Sequence, residues 1–138
     1  MELNHINLVV KNVNHAIELF QKYLDFELVT NRNSKMAVMQ NNGNFALVIW
    51  GQVLNNEDKL PDYPANFHIG FYKEDEAAVH QVFNNIKNES YVMMDGEPRK
   101  IRNTFGFYFY YENLMIEISV NPFSTKAKKP VDFNQLLT

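Results

Sequence analysis

Leu114-Met115-Ile116-Glu117-Ile118-Ser119-Val120 is the stretch on which the fold turns. Apolar and β-branched residues dominate it, Asn113 precedes it and Asn121-Pro122 follow it, so it reads as a strand. Side chains alternate across a strand. Leu114, Ile116, Ile118 and Val120 therefore share one face, and Met115, Glu117 and Ser119 share the other. One carboxylate lies in the middle of an apolar strand. A buried carboxylate without a partner is costly. Glu117 therefore requires a cation, a set of hydrogen-bond donors, or a metal.

The same pattern occurs earlier in the chain. Asn44-Phe45-Ala46-Leu47-Val48-Ile49 aligns with Asn113-Leu114-Met115-Ile116-Glu117-Ile118 at an offset of 69 residues. Val48 then stands where Glu117 stands in the second copy. At an offset of 63, His5 lands on His68, and Ala16, Leu19, Phe20 and Tyr23 land on Val79, Val82, Phe83 and Ile86. An internal repeat of this kind is the strongest organisational signal in the sequence.

Each copy reads as β-α-β-β-β. In the first, residues 3–10 form a strand and Asn12 caps a helix whose apolar stripe is Val13, Ala16, Ile17, Phe20 and Leu24. Strands follow at 26–30, 35–40 and 45–50. Turns lie at 31–34 and 41–44, with Gly43 expected at positive φ. Residues 52–65 hold two prolines and no steady period, and read as a linker or lid loop. In the second copy a strand at 67–72 leads to a helix from 74 to about 88. A short strand at 91–94, a turn at Asp95-Gly96 and an irregular segment at 98–103 come next. The aromatic strand 105–111 and the strand 114–120 close it. The expected organisation is one domain over 1–138, with modules at about 1–51 and 66–123 and an extension at 124–138. That extension is expected to pack on a partner subunit through Phe133, Leu136 and Leu137.

A sheet with a helix on one face must cover or shape its other face. The helix sides take Ile6, Leu8, Ile69, Phe71, Ile116 and Ile118. The opposite faces hold His5, Asn7, Val9, Ala46, Val48, Trp50, His68, Gly70, Tyr72, Met115, Glu117 and Ser119, and are expected to line a cleft. In the aromatic strand, Phe105, Phe107, Phe109 and Tyr111 form one face, and Gly106, Tyr108 and Tyr110 the other. The tyrosine face is either core or a flat wall for an aromatic ligand. Arg99, Lys100 and Arg102 make a basic cluster beside it, and one arginine there could hold an anionic group. His15 and His80 lie on the helices and are expected at the surface.

Composition excludes several function classes. A net charge of −3 gives no electrostatic basis for nucleic-acid binding. With no cysteine, disulfides, thiolate ligands and a cysteine nucleophile are all ruled out. No apolar run approaches a membrane span, and the first residues lack the pattern of a signal peptide, so a cytoplasmic location is expected.

A duplicated βαβββ unit with histidine on the first strand of each half and glutamate on the last strand resembles the vicinal oxygen chelate superfamily. That group includes glyoxalase I, extradiol dioxygenases, fosfomycin-resistance thiol transferases and bleomycin-resistance binding proteins. NHINLVVKNVNHAIELFQKYLDFELV (residues 4–29) looks like the family's opening, and FHIGF (67–71) and MIEIS (115–119) look like its later ligand strands. The resemblance implies an α+β fold of two tandem βαβββ modules, forming a curved mixed sheet around a cleft, and a homodimer. It implies His5, His68 and Glu117 as ligands of a divalent metal; Zn, Mn, Fe and Ni are all compatible with such a set. Glyoxalase I has a further carboxylate where this chain has Val48, and this departure argues against glyoxalase I chemistry. Tyr108 and Arg102 lie in the region that fosfomycin enzymes use for phosphonate, within a different loop.

Two neutral imidazoles and one carboxylate leave coordination positions open for water, substrate or dioxygen. Asn7, Ser119 and Tyr72 are placed by strand face to orient the histidines. Asn7, Val48, Trp50, Tyr72, Arg102, Tyr108, Tyr110, Met115 and Ser119 are the expected substrate-binding residues. Two functions fit. One is a metal-dependent small-molecule enzyme of dioxygenase, isomerase or lyase, or thiol-transferase type. The other is a metal-free binding protein of the bleomycin-resistance type.

Overall fold

A computed structural model describes residues 1–41, 44–56 and 58–123 of the chain. The elements are β1 (His5–Val10), α1 (Val13–Tyr23), β2 (Glu27–Arg32), β3 (Met36–Gln40), β4 (Ala46–Gly51), β5 (His68–Lys73), α2 (Glu76–Ile86), β6 (Val92–Ile101), β7 (Thr104–Tyr111) and β8 (Leu114–Val120). A single 3-10 turn, Gln52–Asn55, follows β4. The chain divides into two compact units, with the boundary between Tyr63 and Pro64.

In the first unit the sheet order is β1-β4-β3-β2. β1 runs parallel to β4, and β3 is antiparallel to both β2 and β4. A parallel pair needs a crossover, and α1 provides part of it. Asn12 Oδ1 accepts from the His15 amide at 2.9 Å and starts the helix. Ala16, Leu19 and Phe20 then bury completely against Met39, Leu47 and Ile49 of the sheet. Each such large apolar side chain stabilises the fold by about 1.5–3 kcal/mol. Phe26 closes the end of this core edge-on to Phe20, with ring centres 5.5 Å apart.

The second unit repeats the plan, in the order β5-β8-β7-β6. Asp75, rather than a residue before Glu74, is the helix cap, accepting from the Ala78 amide at 2.8 Å. Val79 and Ile86 of α2 are fully buried, as are Phe107, Phe109, Ile116 and Ile118 of the sheet. The two faces of 105–111 separate as expected: Phe107, Phe109 and Tyr111 enter the core, while Tyr108 and Tyr110 are half-buried. The Tyr111 hydroxyl's pKa is raised, chiefly by burial and then by Glu112 beside it.

Strand register bears out the repeat. His5 pairs with Ala46 and Asn7 with Val48; His68 pairs with Met115 and Gly70 with Glu117. Each pair is carried onto its counterpart by the 63- and 69-residue offsets. The fold is thus α+β, built of two βαβββ modules, and the eight strands among the described residues fall into two four-stranded sheets.

The structure corrects two details. Residues 91–103 do not form a short strand, a turn and an irregular segment. They form one long edge strand, β6, with a bulge: Asp95 pairs with Tyr108 and Arg99 with Gly106, leaving extra residues on β6. Gly96 takes φ 80° there, a value glycine adopts without steric cost. The 52–65 segment is not wholly irregular, because Gln52–Asn55 form the 3-10 turn. Trp50 Nε1 donates to Asn55 Oδ1 at 3.0 Å and pins that turn. Gly43 and the 124–138 extension lie outside the described residues, so Asn44, at φ 64°, is the described positive-φ residue of the β3–β4 turn. His15 and His80 are exposed. No described helix is long and apolar enough to cross a membrane.

Gly106 packs directly under β8, where a Cβ would collide with the Ile118 carbonyl oxygen and with Ser119. Gly106→Ala is therefore expected to lower stability by about 1–3 kcal/mol or more, read as a reduced midpoint in denaturant unfolding with an unchanged slope.

Candidate functional site

Alternation along β8 puts Ile116 and Ile118 under α2 and turns Glu117 to the opposite face. Glu117 is nevertheless only 6% exposed. Its flanking strands contribute Gly70 on one side and Tyr108 on the other. With no side chain at Gly70, space is left beside the carboxylate; a Cβ there would lie 3.6 Å from Oε2.

The carboxylate's partners are a cation and a donor. Arg102 Nη2 lies 2.7 Å from Oε1 in an ion pair. The buried Ser119 hydroxyl donates to Oε2 at 3.2 Å. Arg102 comes from the two-residue turn between β6 and β7, at φ 52°. That conformation is unfavourable for a long side chain, and it brings the guanidinium back over the sheet. Arg102 Nη2 also lies 3.5 Å from the Tyr108 hydroxyl. The Tyr108 phenol is pushed up to about 12, first by burial, then by its hydrogen bond to Glu117 and that residue's negative charge. Arg102 and Arg99 pull the other way and do not prevail.

His68 stands at the start of β5, edge-on to the Tyr108 ring with centres 5.8 Å apart. Its Nδ1 is 2.8 Å from the Asn66 carbonyl oxygen. A carbonyl only accepts, so Nδ1 carries the proton and Nε2 keeps its lone pair. His5, at the equivalent place in the first unit, has Nδ1 2.6 Å from Asn4 Oδ1, which selects the same tautomer.

A cavity of about 480 Å³ in the second unit is lined by Asn66, His68, Asp95, Arg99, Ile101, Arg102, Tyr108 and Met115. Of the residues expected from sequence, the structure brings His68, Arg102, Tyr108 and Met115 to this cavity, with Glu117 and Ser119 joined to it through Arg102. Tyr72 is elsewhere, 52% exposed and stacked edge-on with Phe123 at 6.3 Å. Tyr110 lies between Met93 and Met115 on the neighbouring strands. In the first unit His5 and Asn7 are exposed and Val48 is half-buried across from Asn7. Trp50 has its N–H committed to Asn55. The groups that orient the histidines are Asn4 and the Asn66 carbonyl rather than Asn7, Ser119 or Tyr72; Ser119 serves Glu117 instead.

The sequence placed Arg99 in a basic cluster of which one arginine could hold an anionic group, without singling it out. The bulge gives it a site role. Its Nη1 donates to the Asp95 carbonyl at 3.0 Å and the Glu97 carbonyl at 3.1 Å, and the guanidinium sits 5.7 Å over the Tyr108 ring. The one available signal was Gly96 inside a charged run, which marks a bulge.

Within the second unit, the His68 imidazole in its Nδ1–H tautomer and the Glu117 carboxylate are donors of the kind a divalent ion takes. Among the described residues no group of three or more His, Cys, Asp or Glu is gathered as a ready metal cage. The Arg102 guanidinium meanwhile occupies Oε1.

No family profile matches the chain, and no curated protein matches it. Solved structures do. A possible glyoxalase from Bacillus cereus is 28% identical, with a TM-score of 0.68 over 86% of this chain and 97% of that one. The genomically encoded fosfomycin resistance protein FosX from Listeria monocytogenes is 24% identical, with a TM-score of 0.69 over 94% and 98%. A lactoylglutathione lyase from Agrobacterium tumefaciens is 13% identical, with a TM-score of 0.64 over 87% and 93%. The fold is that of the vicinal oxygen chelate superfamily, and the resemblance drawn from the repeat is borne out.

Two outcomes follow from the Glu117 network. In metal-free buffer, Arg102→Met strands a buried charge and is expected to cost about 2–4 kcal/mol. That is somewhat under the value for a fully buried pair, because the Arg102 side chain is 27% exposed; adding Glu117→Gln should recover most of the loss. Ultraviolet titration of tyrosinate should show a phenol near 12 that disappears in Tyr108→Phe. The raised value favours the folded state fully below about pH 10, and that contribution is lost as pH rises through about 12.

Proposed function

We propose that this protein is a metal-dependent enzyme of the vicinal oxygen chelate type, acting on a small molecule with adjacent oxygens. His5, His68 and Glu117 would hold the divalent ion, with Zn, Mn, Fe and Ni equally suited to the donors. The observation that carries this reading is the shared tautomer of the two repeat-equivalent histidines. Each has Nδ1 anchored on an acceptor, which leaves Nε2 as the ligating nitrogen.

When bound, the ion supplies Lewis acidity toward oxygens of a chelating substrate. The chain's own residues then do the rest. Tyr108 stays protonated across physiological pH, gives its O–H to Glu117, and leaves its hydroxyl oxygen to accept from a substrate donor. Arg99 and Arg102 favour an anionic group, and Met115 and Ile101 offer apolar walls. Tyr110 adjoins Met115 on the same face of the second unit's sheet, and Ser119 contributes by holding Glu117. Val48 cannot act as an acid or a base, so a reaction needing a second carboxylate at that place is disfavoured. Dioxygenation, isomerisation or lyase chemistry, and thiol transfer are the remaining types. The fosfomycin resistance named for the Listeria neighbour is in keeping with an oxygen-rich anionic substrate.

We take the whole chain as one glyoxalase-like domain that works in the cytoplasm as a homodimer, with neither nucleic acid nor membrane as partner. A second reading has one specific observation in its favour. Arg102 satisfies Glu117 without any metal, as suits a metal-free binding protein of the bleomycin-resistance type.

Elemental analysis of untagged protein separates the two. The enzyme reading expects about one divalent ion per chain. His68→Ala should weaken binding by about 100-fold or more, since even altering a group that orients a ligand costs about 10–100-fold. A wild type that takes up no divalent ion at micromolar metal would leave the binding protein.

A further inference from the structure

Glu117 has two claimants. One is the divalent ion of the reading just proposed, on which this inference rests. The other is Arg102, whose guanidinium holds Oε1 at 2.7 Å. Two cations on one small carboxylate repel each other strongly where water is scarce, so the two occupancies oppose one another.

Three features make Arg102 more than a permanent structural partner. First, it occupies a positive-φ turn position at 52°, where glycine or asparagine is the low-energy choice. Asn33, at the start of the corresponding turn in the first unit, has φ 53°. The first unit has no acid at Val48 and no arginine at that turn residue; the second has both. Second, the Arg102 side chain is 27% exposed against 9% for Glu117, so it has somewhere to go. Third, it already lines the cavity, and rotation about its own side-chain bonds keeps it there.

We propose that Arg102 is a tethered competitor for the metal: its guanidinium occupies Glu117 while the divalent ion is absent and moves into the cavity when the ion binds. The exchange keeps Glu117 paired in both states, so neither state buries a bare charge. It also changes the cavity's charge. Arg99 and Arg102 are balanced by Asp95 and Glu117 before loading, and the ion adds two positive charges. Anion binding in the cavity therefore becomes dependent on prior metal binding.

The test uses Zn²⁺ alone, by calorimetric titration of the full chain, with Arg102→Asn and Arg102→Lys. Asparagine tolerates the turn conformation and carries no charge; lysine keeps a cation. Competition expects Arg102→Asn to bind Zn²⁺ about tenfold or more tighter than wild type, with Arg102→Lys between them. Binding by Arg102→Asn where wild type shows none would support it in its strongest form. Equal or weaker binding by Arg102→Asn, with wild type binding, overturns the competition and leaves the metal site standing. Failure of both to bind removes the metal reading and the competition together. Should Arg102→Asn not fold, the wild type still decides. Its Arg102 guanidinium NMR signals must change on Zn²⁺ saturation, and unchanged signals overturn the proposal.

Discussion

The charge of one buried carboxylate constrains the second unit. Glu117 sits on the face of β8 opposite α2, with backbone on either side of it, and is almost shut off from water. A group in that position must be matched by fixed partners. The neighbouring strands are arranged accordingly: Gly70 leaves room, Ser119 donates to Oε2, Tyr108 stands alongside, and the β6–β7 turn returns Arg102 to Oε1.

That turn explains the shape of β6. A strand that ended at residue 94 would not carry Arg99 and Arg102 beside Tyr108. The bulge at Gly96 lets β6 continue, and Arg99 ties the bulge down through two backbone carbonyls while covering the tyrosine ring. Local backbone strain at Arg102 and the extra residues of β6 thus serve the same cluster. The first unit, with Val48 in place of Glu117, has no acid on β4, and among its described residues the corresponding turn position is Asn33 rather than an arginine.

Much of this was legible in the residues. The βαβββ order came from apolar periodicity and turn residues, which depend on near neighbours along the chain. The 63- and 69-residue offsets between halves predicted strand register, because a one-residue slip would turn every core side chain outward. The isolation of Glu117 in an apolar strand announced that it needed a partner. Less legible was the partner's identity. Arg102 lies 15 residues away in sequence, across a bulged strand whose extra residues break the alternation on which strand reading relies.

The sequence by itself determined the duplicated architecture, the core faces and the positions of His5, His68 and Glu117, since periodicity and repetition are local properties. Only the tertiary structure decided which cation meets the carboxylate, which nitrogen of each histidine is left to act, and that Trp50 spends its N–H on the turn after β4. Those outcomes depend on ångström-scale distances between residues brought together by strand pairing and turns, and a linear pattern carries no such distances.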